Sequence, residues 1–240
     1  MRTTFQVRVN KLVHRSGSNE FSRVQTEITL IRHGETEFNL AGRIQGTRDS
    51  ALTDEGRTQA KELGAVMKKH LFRPAVWFVS PQGRARETSR ILREAIGLDD
   101  LPPEVPDDLL CEVNCGDFEG RLHSEVDQDV LWQIRNHADA PYPGGESLLD
   151  VMDRARRFFE GALSERPESG MHRMLVVSHG NWIRAAGAVL LDAGPGFALR
   201  ALCHNTAIHR FVARDRNDRF RLVTWNERSH LTAGNAFDIV

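Results

Sequence analysis

Three apolar runs in this 240-residue chain end abruptly in polar, glycine-containing turns: Arg32-His33-Gly34-Glu35-Thr36, Ser80-Pro81-Gln82-Gly83-Arg84 and Ser178-His179-Gly180-Asn181. Between them they supply two arginines, two histidines and glycines that let backbone approach a ligand, which is the composition of an anion site. Arginine suits phosphate because its planar fork donates hydrogen bonds in pairs and stays charged at any working pH. A neutral histidine among such donors keeps a ring lone pair and can accept a phosphoryl group, while a second histidine can stabilise equatorial charge. Loss of an alcohol from phosphorus then requires a general acid, ordinarily a carboxylate. Glu112, in Leu110-Cys111-Glu112-Val113-Asn114-Cys115-Gly116, is the chosen candidate, although spacing alone does not separate it from Glu35, Asp117 or Glu119.

These groups need elements that bring them to one place. Strand-like runs at Ile28–Ile31, Ala75–Val79 and Met174–Val177 lead into the three turns. Helical spacing of apolar residues covers Asp54–Leu71, Gln82–Ile96, Glu146–Glu165 and Asn181–Leu191, with Thr53 as a predicted N-cap and Gly97 just past a helix C-terminus. Ala207–Ala213 and Phe220–Trp225 flank Arg214-Asp215-Arg216-Asn217-Asp218 and read as two strands around a polar turn. This alternation predicts an α/β domain with a mostly parallel sheet, in which the ligand crevice lies beyond the carboxyl ends of the strands. All three polar turns would converge there.

Composition narrows the rest. With 40% hydrophobic and 27% charged residues and a net charge of −1, the chain is an ordinary globular one with no global reason to bind nucleic acid or membrane. Residues 1–26 stand apart as a basic, serine-containing extension, read as a mobile tail or as one extra strand through Phe5, Val7 and Val9; targeting to an organelle is the less favoured reading. The domain is expected over 27–240, soluble and cytoplasmic. Three cysteines cannot build a disulfide framework. Cys111, Cys115 and Cys203-His204 lack the usual zinc spacing, so no metal site is expected there; Cys111, beside Glu112, is a candidate for redox sensitivity. Residues 121–142, with His123, Trp132, Arg135, His137 and Tyr142, are read equally as a substrate-selecting lid and as ordinary packing.

The run Leu30 to Asn39, followed by Gly42-Arg43-Ile44-Gln45-Gly46, resembles the histidine phosphatase superfamily, whose fold is phosphoglycerate-mutase-like. Leu52-Thr53-Asp54-Glu55-Gly56, Ser80-Pro81 through Arg84 to Thr88, Glu112 with Gly116-Asp117-Phe118-Glu119-Gly120, Pro143-Gly144-Gly145-Glu146-Ser147 and Val177-Ser178-His179-Gly180 continue the resemblance in the family's order. It implies a three-layer α/β/α sandwich and a phosphohistidine mechanism needing no metal or cofactor. By position it makes His33 the nucleophile and Glu112 the proton donor. Arg32, Arg84 and His179 would hold phosphoryl oxygens, Asn39 would lie in the phosphate pocket, and Gln45 and Gly46 in the substrate loop. Gly180 and Asn181 would offer backbone N–H groups.

The phosphatase branch is favoured. A mutase is expected to carry a longer insertion with adjacent arginines between the acid and the second histidine, whereas here that interval is short and Arg154, Arg156 and Arg157 fall in a predicted helix. Phe118 stands where tryptophan is commoner. The reading is therefore a phosphomonoesterase for a small phosphorylated metabolite. The alternatives are a phosphoglycerate-mutase-type phosphotransferase and a non-catalytic module that binds a phosphorylated ligand. Neither the substrate nor the oligomeric state is written in the sequence.

Overall fold

The computed structural model describes residues 24–70 and 72–232. The alternation of Phe5, Val7 and Val9, most of the basic extension, and the apolar position Leu71 lie outside the described residues. Six strands form one sheet in the order β3-β2-β4-β1-β5-β6. These are β1 (Val24–Arg32), β2 (Val76–Val79), β3 (Glu104–Pro106), β4 (Gly170–Ser178), β5 (Ile208–Ala213) and β6 (Arg221–Glu227). The first four run parallel, and β5 and β6 are antiparallel additions at one edge. The fold is thus the expected α/β sandwich with a mostly parallel sheet.

Strand residues alternate between two cores, as the two-residue repeat of a β-strand requires. Ile28 and Leu30 of β1 and Met174 and Val176 of β4 face one core; Ile31, Leu175, Val177, Trp77 and Val79 face the other. The second core is closed by α2 (Asp54–Lys69) and α3 (Gly83–Ile96), through Leu63, Met67, Leu92 and Ile96. The first is closed by α5 (Leu148–Ser164), α6 (Gly180–Leu191) and α7 (Pro195–Arg200). Phe158 and Trp182 pack there edge to face with ring centroids 5.6 Å apart, each aromatic side chain contributing about 1.5–3 kcal/mol by burial.

Local signals account for the helix ends. The Thr53 side chain accepts the Gly56 N–H, Ser147 and Asp150 form a capping box on α5, and Gly97 takes the left-handed conformation after α3 with φ +58°. α4 (Gln128–Asn136) is the helix in which the packing reading of residues 121–142 places Leu131, Trp132 and Ile134, whereas the short helices α1 (Glu37–Leu40) and α7 are not expected from the sequence. The edge strand β3 was missed as well. Each is too short for its pattern to rise above its flanks.

Two features of this fold make the site. In the β1–β4 register Arg32 lies opposite Ser178, and in the β2–β4 register Val79 lies opposite Val177, so all three polar turns begin at one level of the sheet. Moreover, β2 and β4 are neighbours, yet the helices that follow them, α3 and α6, cover opposite faces. The crevice opens where the chain turns in opposite directions.

Candidate active site

His33 follows the last residue of β1 and is buried. Its Nδ1 lies 2.8 Å from the Gly34 carbonyl oxygen, which can only accept, so Nδ1 carries the proton and Nε2 the lone pair. Nε2 in turn accepts from Arg84 Nε at 3.3 Å. Burial, then the charges of Arg84 and Arg32, hold the His33 pKa well below its ordinary value and keep the ring neutral. This geometry depends on glycine. Gly34 donates its N–H to Thr88 Oγ1, and a Cβ at Gly34 would lie 2.4 Å from the Gly56 carbonyl oxygen, because the first turn of α2 presses against the histidine turn.

Arg84 sits in the first turn of α3 with its side chain fully buried. Its guanidinium donates to the carbonyl oxygens of Gly46 (2.9 Å) and Arg48 (3.0 Å) and pairs with Asp49 at 3.2 Å. Asp49 also caps α3 by accepting the Gly83 and Arg84 N–H groups. Arg32 donates to the Cys203 carbonyl oxygen at 2.6 Å, while its Nε is buried with no hydrogen-bond partner among the described residues. The ring of His179, just after β4, lies 5.2 Å from that of His33. Its Nε2 bonds Ser80 Oγ at 2.7 Å, and its buried Nδ1 has no partner among the described residues. Burial and the nearby arginines also hold His179 neutral.

Glu112 closes the arrangement. Its Oε1 accepts the N–H groups of Val113 (2.9 Å) and Trp182 (3.2 Å), and its Oε2 accepts that of Asn181 (3.2 Å), leaving lone-pair capacity on Oε2. Geometry separates Glu112 from its rivals. A cavity of about 290 Å³ is lined by Arg32, His33, Arg84 and Glu112 but by none of Glu35, Asp117 and Glu119. Glu35 accepts from Thr53 Oγ1, and Glu119 ties the Thr47 and Cys115 N–H groups together.

Asn39, Gln45, Gly46, Gly180 and Asn181 also line this cavity. One of them acts differently from expectation, and two make contacts that the sequence does not indicate. The Asn181 N–H, expected to face a ligand, is taken by Glu112. Gly46 contributes its carbonyl oxygen to Arg84, and a Cβ there would meet Glu119 Oε1 at 2.2 Å. Gly180 packs beneath Arg32, whose Nε would lie 3.5 Å from an added Cβ. Asn39 Oδ1 accepts from Asn205, which also bonds the His33 carbonyl oxygen; Gln45 Oε1 accepts from Thr36 Oγ1.

Several positioning residues escaped the sequence reading. Ser80 had a signal, since it follows its strand end as His33 and His179 follow theirs. Gln82 does not continue α3; its Nε2 donates to the Gly46 and Thr47 carbonyl oxygens and its Oε1 accepts the Glu112 N–H, so it joins the Gly46–Thr47 turn to the acid loop, residues 111–115 around Glu112. Arg154, noted only as one of three helical arginines, donates to the carbonyl oxygens of Leu109, Cys111 and Glu112 and pairs with Glu146 at 2.9 Å. Glu146 accepts the Asn114 N–H, so this ion pair pins both ends of the acid loop. No short-range pattern announces such contacts.

The stretch 121–142 both packs into the core and lines the cavity. Leu131 joins the core and also reaches the cavity, while His123, Ile134, Arg135 and Tyr142 line the cavity wall. Cys111, Cys115 and Cys203 are free thiols; burial pushes all three up, Cys203 to about 12, which leaves little thiolate for oxidation at neutral pH. Among the described residues no group of three or more His, Cys, Asp or Glu is placed to hold a metal ion, and no helix is long and apolar enough to cross a membrane.

Comparison with known proteins identifies relatives of this chain. A 2,3-bisphosphoglycerate-dependent phosphoglycerate mutase of Methylobacterium sp. (strain 4-46) is 36% identical over 169 residues, covering 68% of this chain and 79% of that protein. A mycobacterial glucosyl-3-phosphoglycerate phosphatase superposes with a TM-score of 0.74 at 29% identity, covering 84% of this chain and 99% of the other. A mutant phosphoserine phosphatase from Entamoeba histolytica, in complex with phosphoserine, superposes with a TM-score of 0.71 at 26% identity, covering 86% and 99%. The model of the histidine phosphatase superfamily, branch 1, matches residues 28–228, so the chain belongs to that family.

Proposed function

We propose that this protein is a metal-independent phosphomonoesterase acting on a small phosphorylated metabolite through a phosphohistidine on His33. The observation that carries this reading is the meeting of a neutral His33, whose Nε2 lone pair is held by a single 3.3 Å hydrogen bond from Arg84 Nε, with two buried polar atoms that have no partner among the described residues, Arg32 Nε and His179 Nδ1. Buried polar atoms are ordinarily paired, and phosphoryl oxygens would pair these. A substrate phosphate would take its hydrogen bonds from Arg32, Arg84 and His179, with Asn39 and Gln45 at its edge. His33 Nε2 would form the N–P bond as the P–O bond to the alcohol breaks, and Glu112 would give its proton to the leaving oxygen. The Glu112 carboxylate would then take a proton from water as that water's oxygen bonds to phosphorus and the N–P bond breaks, releasing inorganic phosphate and restoring both residues. The cations and imidazoles supply the charge stabilisation that a metal gives other phosphoryl-transfer enzymes.

Phosphatase is favoured over mutase by the arginines. Arg154 is turned onto the acid loop and Arg156 pairs on the surface with Asp153, so these two do not reach over the cavity as a basic lid. The relative named as a mutase keeps the second reading in play, and one assay separates them. Phosphorylated metabolites are screened for phosphate release with and without EDTA, beside His33→Ala and with a bisphosphoglycerate primer in parallel. Chelator-independent release that requires His33 is the expected result; primer-dependent isomerisation exceeding release would overturn it in favour of the mutase.

A further inference from the structure

His33 and His179 are both buried and both held neutral, with ring centroids 5.2 Å apart, yet the proposed chemistry asks opposite things of them. One has to offer a lone pair and the other a proton. A neutral imidazole carries a single N–H, and the group bonded to one ring nitrogen decides what the other nitrogen presents. For His33 that group is the Gly34 carbonyl oxygen on Nδ1. For His179 it is Ser80 Oγ, 2.7 Å from Nε2, while Nδ1 is buried without a partner among the described residues.

Strand register puts Ser80 there. It is the residue after β2, its N–H donates to the Val177 carbonyl oxygen at 3.0 Å, and Pro81 prevents the strand from continuing, so it sits beside the end of β4 and its hydroxyl meets His179. A hydroxyl can donate or accept, and its remaining contacts decide which. The Gln82 N–H, which can only donate, lies 3.4 Å from Ser80 Oγ, and the Cys111 thiol hydrogen-bonds the same hydroxyl. That leaves the hydroxyl proton a choice between His179 Nε2 and Cys111 Sγ, and a ring nitrogen is much the better acceptor. The reverse arrangement, with Nε2–H donating to Ser80, would turn a bare Nδ1 lone pair toward phosphoryl oxygens that themselves only accept.

We propose that Ser80 is a positioning residue that donates its hydroxyl proton to His179 Nε2, holds His179 in the Nδ1–H tautomer, and so makes it a hydrogen-bond donor to a phosphoryl oxygen and not a second base. A carbonyl oxygen on one histidine and a hydroxyl on the other thereby divide nucleophile from donor between two rings of the same charge. The assignment rests on the phosphatase reading for its setting, but neither the tautomer nor the binding of phosphate requires turnover.

The test is nitrogen NMR of the protein carrying isotope-labelled histidine, with the His179 signals identified by their loss in His179→Gln. In the wild-type protein the proton is expected on Nδ1 of His179, with Nε2 unprotonated, both with and without inorganic phosphate. In Ser80→Ala the Nε2–H form should appear in the free protein, and the Kd of inorganic phosphate should rise about 3- to 10-fold, the range of one neutral hydrogen bond. The value of kcat/KM should fall by a similar factor on an alkyl phosphate and on p-nitrophenyl phosphate, because the contact is to the phosphoryl group and not to the leaving oxygen. Ser80→Thr, which keeps the hydroxyl, should keep the wild-type tautomer, and the wild-type spectrum decides the matter even where Ser80→Ala fails to fold. A proton on Nε2 in the wild-type protein, or a tautomer unaltered by Ser80→Ala, overturns the inference while leaving the phosphatase reading intact. The expected tautomer and its shift, in a protein that releases phosphate from no ester, support the role of Ser80 and overturn the phosphatase reading. A wild-type Nε2–H form together with no turnover overturns both.

Discussion

Replacing Glu112 with glutamine isolates the proton-transfer step, because the side chain keeps its shape and loses only the ability to give and take a proton. The structure sets the accompanying cost. Oε1 accepts two backbone N–H groups and Oε2 accepts one. The amide retains one oxygen, so its NH2 must face the Asn181 N–H, and one charge-assisted hydrogen bond is lost at about 1.5–3 kcal/mol. For a domain of this size that corresponds to roughly a 3–12 °C fall in Tm, tolerable at ordinary assay temperature. Positioned general acids contribute about 10²–10⁴-fold, or roughly 2.7–5.5 kcal/mol of barrier. Hydrolysis of an alkyl phosphate should therefore fall by that factor in kcat/KM. With p-nitrophenyl phosphate the leaving phenolate needs little protonation, and kcat/KM, which reports only phosphohistidine formation, should fall less than about tenfold. Hydrolysis of the phosphoenzyme still needs a base, so kcat should drop and a burst of nitrophenolate should precede the slow steady state. Equal losses of kcat/KM on the two substrates, or the absence of a burst, would refute the assignment of Glu112.

Arg154→Met should leave the phosphate pocket in place but loosen the acid loop, lowering kcat/KM for alkyl phosphates by about 10-fold or more while inhibition by inorganic phosphate stays nearly unchanged; equal damage to both would show that Arg154 supports the fold generally. Gly34→Ala would drive a Cβ to 2.4 Å from the Gly56 carbonyl oxygen, and the clash, between two backbones with no flexible side chain to yield, should cost about 1–3 kcal/mol and show in denaturant unfolding. His33, His179 and His209 are held neutral by burial, the last at about 3. Their folded pKa values lie below the unfolded value, so only the unfolded chain takes up protons as pH falls below about 6.5. Stability should be flat above that pH and lower by about 1.4 kcal/mol per histidine at one unit below it. Urea melts at pH 7.5, 6.5 and 5.5 check this, and a pH-independent midpoint would contradict it.

Much of this protein is set by short-range chemistry. Thr53, Ser147 and Gly97 mark helix ends because their side chains or backbone settle unpaired groups within a turn, and the apolar alternation of Ile28 to Ile31 assigns successive side chains to opposite cores wherever the strand goes. The three polar turns are visible in the sequence because each follows an apolar strand directly, and the parallel fold then obliges them to meet. Tertiary structure alone decided what depends on distance across the chain. It put Glu112 in the cavity lining and left Glu35, Asp117 and Glu119 out of it, setting the Glu112 carboxylate against the N–H groups of Asn181 and Trp182 and so spending the Asn181 amide. It brought Asp49 onto α3, Arg154 and Glu146 onto the acid loop, and Arg184 to the cavity wall. Those pairings are fixed by strand register and by which face each helix covers, and neither quantity is encoded in any local run of residues.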